Sequence, residues 1–289
     1  MHARAVTALT SALLGTAALL LPATDVRAVE DGTPPTVVAH RAGAAYAPEN
    51  TLAAVDRAAQ IGAVWVENDV QRTRDGELVV LHDDSLRRTT DVERVFPGRA
   101  PWKVKDFTAA EIARLDAGSW FGAAYAGARV PTLRQYVRRV DLHRQKLLLE
   151  LKNPELYPGI ERETLKLLGN EGWLDGRHRS RLIVQSFSAA SLRTVHDLKP
   201  GVKTGFLGTP SVAQLPTYAV FADQINPSYT SVSRAYVSAV HAFTGPHDKP
   251  LDVFAWTVDT ADAARRVAGY GVDGVITDKP DVVRDALRG

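Results

Sequence analysis

Five side chains able to do acid–base or ionic chemistry sit close together near the start of this 289-residue chain: His40, Arg41, Glu67, Asp69 and His82. They stand at or near the ends of short apolar runs (Val37 to Ala39, Val64 to Val70, Leu78 to Leu81), where strands deliver side chains to one place. Residues two apart on a strand face the same way, so Glu67 and Asp69 share a face about 7 Å apart and Asn68 points to the other. Two such carboxylates repel unless something positive lies between them, and a hard divalent cation meets that need. A third, Glu150, stands in the apolar run Leu147 to Leu151, where an unpaired charge is costly. The plainer alternative makes Glu67 and Asp69 a solvated strand face and each histidine structural. Two histidines in one stretch, one beside Arg41 and one before Asp83 and Asp84, favour a site, because imidazole exchanges protons near neutral pH. Glu49 and Asn50 are read as turning into and capping the first helix, with Asn50 also able to reach the site. Asn68, facing a helix layer, calls for a hydrogen-bond partner there.

The elements that must position these residues follow from periodicity. Eight runs read as parallel strands: Val37 to Ala39, Val64 to Val70, Lys146 to Leu151, Arg181 to Ser186, Lys203 to Leu207, Asp223 to Asn226, Val253 to Val258 and Gly274 to Thr277. Leu78 to Leu81 follows Asp69 too closely for a parallel crossover, and Asp75-Gly76 is a turn signal, so this run folds back as a hairpin carrying His82 over the site. Helical spacing marks Asn50 to Ile61, Gly159 to Leu168, Ala189 to Leu198, Ser211 to Ala219, Ser231 to Phe243, Ala261 to Ala268 and Asp281 to Leu287. This alternation predicts an α/β fold, a closed (β/α)8 TIM barrel with its site at the carboxyl ends of the strands, where His40, Glu67, Asp69, Glu150 and Trp256 fall. An open doubly wound sheet is the alternative, and no glycine-rich phosphate loop follows the first strand to support it. Residues 85–132 break the pattern as a small turn-rich insert, with Pro97, Gly98 and Pro101, a short helix near Glu111, and aromatics at Trp120, Phe121 and Tyr125.

The motifs His40-Arg41, Pro48-Glu49-Asn50-Thr51, Glu67-Asn68-Asp69, Asp75-Gly76 and His82-Asp83 occur in an order that resembles the glycerophosphodiester phosphodiesterase family, in its exported bacterial form. The likeness continues through Leu149-Glu150-Leu151-Lys152, Gln185-Ser186-Phe187, Trp256-Thr257-Val258 and Gly274 to Asp278. Ala42 departs from the glycine that usually follows His-Arg, and Asn68 from the usual apolar residue. The resemblance implies hydrolysis of a small-molecule glycerophosphodiester to glycerol 3-phosphate and an alcohol. It further implies one divalent cation, Ca2+ or Mg2+, held by Glu67, Asp69 and Glu150, with His40 and His82 as acid and base. Arg41 and Lys152 would complement the phosphate, and Phe187 and Trp256 would wall the glycerol pocket. The insert over the barrel mouth is read as selecting the leaving group. Two other readings stay open: a related barrel phosphodiesterase acting on lysophospholipids or teichoic acid, and a noncatalytic phosphate-ligand binding protein.

His2 and Arg4 precede an Ala/Leu-rich run ending near Pro22, and Val26-Arg27-Ala28 supplies a small-residue cleavage site. We therefore expect a signal peptide over residues 1–28, cleaved after Ala28, and a secreted barrel domain over 29–289. An uncleaved membrane anchor is the alternative, but the run is short for a span. No cysteine is present, which excludes disulfides, a thiolate nucleophile and a Cys-based zinc site. A net charge of +2 and the lack of a basic tract with interleaved aromatics argue against nucleic acid.

Overall fold

The computed structural model describes residues 34–288, residue 177 excepted. The expected leader and its cleavage after Ala28 lie outside the described residues. Eight parallel strands close into a barrel: β1 (Thr36–Ala39), β2 (Trp65–Arg72), β4 (Lys146–Leu151), β5 (Leu182–Ser186), β6 (Lys203–Leu207), β7 (Gln224–Asn226), β8 (Asp252–Ala255) and β9 (Gly274–Thr277). The order β1-β9-β8-β7-β6-β5-β4-β2 is closed by pairing of β1 with β2. The remaining strand, β3 (Leu78–Val80), pairs antiparallel with β2 as a hairpin outside the barrel. The expected (β/α)8 architecture and the hairpin are both present.

Eight of the ten α-helices among the described residues layer the barrel: α1 (Leu52–Gln60), α4 (Leu133–Leu142), α5 (Ile160–Asn170), α6 (Ala189–Leu198), α7 (Leu215–Ala219), α8 (Arg234–His241), α9 (Ala261–Ala268) and α10 (Pro280–Arg288). The insert contributes the short α2 (Val92–Val95) and α3 (Ala109–Ile112). Two local readings need correction. Helix α4 was not anticipated, although Thr132 and Gln135 form a capping box and Leu133, Tyr136, Val137 and Val140 are buried at helical spacing. Helix α1 is capped by Thr51, whose Oγ1 accepts from the Ala54 amide at 3.2 Å, and not by Glu49 or Asn50.

Side-chain alternation divides the barrel cleanly. Val38, Leu148, Ile183, Phe254 and Ile276 fill its inner floor, while Val66, Val70, Leu147, Leu149 and Leu151 face the helices. The register pairs Asp69 with Glu150, Glu150 with Gln185, and Gln185 with Gly205, so one inner layer carries the polar groups. Gly205 is required there, since a Cβ would stand 2.8 Å from Asn226 Nδ2. The amino end of the barrel holds a cavity of about 260 Å³ between Pro34, Trp65 and Arg284, at the end opposite these groups. Among the described residues no helix is long and apolar enough to cross a membrane.

Asn68 faces the helix layer beside Leu149, as alternation requires, and is fully buried. The expected hydrogen-bond partner is missing: neither Nδ2 nor Oδ1 has one among the described residues. A buried unpaired polar group costs about 1–3 kcal/mol. Asn68→Val removes both polar atoms and suits a strand, so it is expected to raise the melting temperature by several degrees, at about 2–4 °C per kcal/mol. An unchanged or lower melting temperature would count against this account.

Candidate active site

The site is assembled from strand ends. In β2, Glu67 and Asp69 point into the barrel, and Glu150 of β4 joins them; one oxygen of each lies within 4.8 Å of the others, and all three residues are buried. Their charges cannot coexist cheaply. Burial, then Asp69, then Glu150 raise the Glu67 carboxyl well above its ordinary range. Burial and Asp69 push Glu150 up to about 8. Burial also opposes the charge of Asp69, but His82, Lys152 and Arg41, with a hydrogen bond from Asn50, hold it below the usual range. Asp69 Oδ1 is buried with no hydrogen-bond partner among the described residues. An oxygen-only donor set with an orphaned buried acceptor fits one hard divalent cation.

Around this cluster the geometry is specific. His40, at the end of β1, donates from Nδ1 to Asp278 Oδ1 at 2.7 Å. His82, after the hairpin, donates from Nδ1 to Asp83 Oδ1, also at 2.7 Å. A proton fixed on Nδ1 leaves Nε2 of each ring as the atom available for proton exchange. For His82 that atom lies 3.2 Å from Lys152 Nζ. Lys152 also approaches Glu150 Oε1 at 2.9 Å and Asp69 Oδ1 at 3.8 Å. Burial works against its charge, yet these carboxylates keep its pKa above the ordinary value.

Arg41 and Ala42 both adopt left-handed backbone, with φ of 48° and 64°, which explains why glycine would suit position 42. That turn aims the Arg41 amide at Glu67 Oε2 (2.8 Å) and its guanidinium at Glu49 Oε1 (3.0 Å), with Nε 3.8 Å from Asp69 Oδ2. Phe187 is half exposed and meets Trp256 edge to face at 5.7 Å, with Lys152 Nζ 5.6 Å from its ring centre. The Trp256 indole donates to the Asn226 carbonyl at 2.8 Å, just beyond the end of β8. Every residue predicted for the site is therefore brought to one end of the barrel.

The amino-acid sequence matches the glycerophosphoryl diester phosphodiesterase family over residues 40–282. The chain belongs to this family. A glycerophosphodiester phosphodiesterase of Caldanaerobacter subterraneus subsp. tengcongensis is 36% identical over 87% of this chain and 97% of its own. Another, of Bacillus subtilis, is 33% identical over 87% of this chain and 86% of its own. Among solved structures, an Oleispira antarctica phosphodiesterase in complex with the product sn-glycerol-3-phosphate superimposes with a TM-score of 0.77 at 29% identity, covering 89% of this chain and 98% of that one.

In this member of the family several further residues reach the site. Asn50, left-handed at φ 63°, donates from Nδ2 to Asp69 Oδ2 at 2.7 Å. Gln185 Nε2 approaches Glu67 Oε1 at 3.4 Å, and Asn226 Nδ2 donates to Gln185 Oε1 at 3.0 Å. Asp278 and Asp83 orient the imidazoles, and Glu49 holds Arg41. Two of these carry a local signal, Asn50, read from the sequence as able to reach the site, and Asp83, beside His82; Asp278 is distant in sequence and comes to His40 through the pairing of β1 with β9.

Proposed function

We propose that this protein is an exported, metal-dependent phosphodiesterase that converts glycerophosphodiesters to glycerol 3-phosphate and an alcohol. The observation that carries the reading is the convergence at one barrel end of three buried carboxylates with two imidazoles, each oriented through Nδ1 by its own carboxylate. The product bound by the Oleispira relative supports the substrate class. Glu67, Asp69 and Glu150 would hold one cation, Ca2+ or Mg2+, with Ca2+ the more available outside a cell. When bound, the cation supplies charge to a phosphoryl oxygen and offsets the charge that gathers there during reaction.

The chain's own residues do the rest. Arg41 and Lys152 complement the remaining phosphate charge, while Phe187 and Trp256 flank the glycerol. One of His40 and His82 takes the proton from the glycerol 2-hydroxyl as its oxygen attacks phosphorus. The other gives a proton to the departing alcohol oxygen as the ester bond breaks. Water then opens the resulting cyclic phosphate with the two roles exchanged. Export rests on the leader sequence, with residues 1–28 removed.

Side-by-side assay of glycerophosphocholine, a lysophospholipid and poly(glycerol phosphate) tests the substrate class. We expect glycerophosphocholine to give the highest kcat/KM. Preference for either of the others would move the assignment to a lipid or wall-polymer phosphodiesterase. Tight binding without turnover under Ca2+ or Mg2+ would make the protein a binding module.

A further inference from the structure

We propose that Arg88, in the insert, is a positioning residue whose single guanidinium locks both His82 and Arg41 in place. The proposal deepens the reading above and rests on it. Arg88 Nε donates to Asp83 Oδ2 at 2.6 Å and Nη2 to Asp83 Oδ1 at 3.0 Å. On its other edge, Nη1 donates to Glu49 Oε2 and Nη2 to Glu49 Oε1, each at 2.8 Å. Both carboxylates are already committed to the site. Asp83 Oδ1 receives the His82 Nδ1 proton, and Glu49 Oε1 receives Arg41 Nη1. One cation thus joins two anions, each of which holds one of the residues assigned to the phosphate or the proton transfers.

Without the guanidinium, Asp83 would keep only its bond from His82 and Glu49 only its bond from Arg41, and each carboxylate would be free to turn away from its partner. Lysine cannot substitute, because one ammonium lacks the planar fork that grips two carboxylates at once. Among the described residues Arg88 bonds to Asp83 and Glu49 and not to Glu67, Asp69 or Glu150, so the three carboxylates stay in place when it is removed. Its side chain is 44% exposed, and Glu49, though only 8% exposed, keeps Arg41 as a partner when Arg88 is removed, so the loss of stability is expected to be small. Function and folding are therefore separable at this position. The arrangement also gives the insert a direct hold on the site: a shift of the segment around Arg88 would move the orienter of His82 and the anchor of Arg41 together.

The test uses the full barrel chain with Arg88→Ala, Arg88→Met and Arg88→Lys. For each we expect kcat on glycerophosphocholine to fall roughly 10- to 100-fold, as for partial loss of an oriented acid or base. Calorimetric affinity for Ca2+ or Mg2+ should stay within about twofold and the melting temperature within a few degrees, in line with a weak surface pair. Added guanidinium ion should restore part of the Arg88→Ala turnover, and sodium at equal ionic strength should not. A readout independent of activity is the His82 Nδ1 proton in the NMR spectrum, assigned by its loss in His82→Gln. It should be protected from exchange in the parent and lost in the Arg88 variants. Persistence of that protected proton in Arg88→Ala, or an unchanged kcat, overturns the proposal. Absence of turnover in the parent would remove the hydrolase reading, and the NMR comparison would still decide the role of Arg88.

Discussion

Removing divalent cations is expected to abolish turnover and to leave a protein whose stability falls as pH rises from about 4.5 to about 8. The sign follows from Glu150. Its folded carboxyl is pushed up to about 8 by burial and Asp69, against an ordinary value of 4.5. Across that window the folded metal-free protein keeps a proton that the unfolded chain has released, so raising the pH favours unfolding. Glu67, raised for the same reasons, acts in the same direction. Asp69 is depressed, so its contribution is present above 3.8 and is lost only as the pH falls through its lower folded value, outside this window. A cation bound by the three carboxylates replaces those protons, and its affinity should rise with pH. At about 100 times its dissociation constant it would add about 2.7 kcal/mol, or about 5–10 °C in melting temperature, and at one fixed cation concentration the gain should be larger at pH 8 than at pH 5. Thermal melts in chelator across this range, repeated with excess Ca2+ or Mg2+, check both statements. Full activity in chelator, or a gain that Asp69→Ala leaves intact, would remove the cation from the account.

Replacing either histidine should cost about 10²- to 10⁴-fold in kcat, the usual range for losing a positioned acid or base. The two are expected to be comparably severe because each carries the same device: a carboxylate 2.7 Å from Nδ1, Asp278 for His40 and Asp83 for His82, with Nε2 left for the reaction. The intact enzyme should show a bell-shaped pH–rate profile, and each His→Ala variant should lose one limb. The cation-induced gain in melting temperature should survive both substitutions, which separates proton transfer from cation binding. A substrate lacking the 2-hydroxyl, or methylated there, decides the route of attack. Turnover at the normal rate would mean that water attacks phosphorus directly, and the cyclic phosphate would have to be abandoned.

Much of this was legible in the sequence because its signals are local. A strand's two-residue period puts Glu67 and Asp69 on one face and Asn68 on the other, whatever surrounds them. Eight apolar runs separated by helical spacing leave few alternatives to a closed barrel, and Asp75-Gly76 forces the hairpin that returns His82. The same local reasoning misses α4, whose N-cap Thr132 is the last residue assigned to the irregular insert. It assigns Glu49 and Asn50 to capping, with the site as the alternative for Asn50; the structure gives the cap to Thr51, while Asn50 reaches Asp69 and Glu49 turns to Arg41. Polar partners drawn from distant parts of the chain could only come from the tertiary structure. Asp278 reaches His40 because β1 pairs with β9, Gln185 comes to Glu67 and Asn226 to Gln185 across the barrel, and Arg88 reaches Glu49 from the insert. The sequence by itself determined which residues carry charge and which face of a strand they occupy. Closure of the barrel decided which charges face one another, because distances between strands are set by register and not by position along the chain.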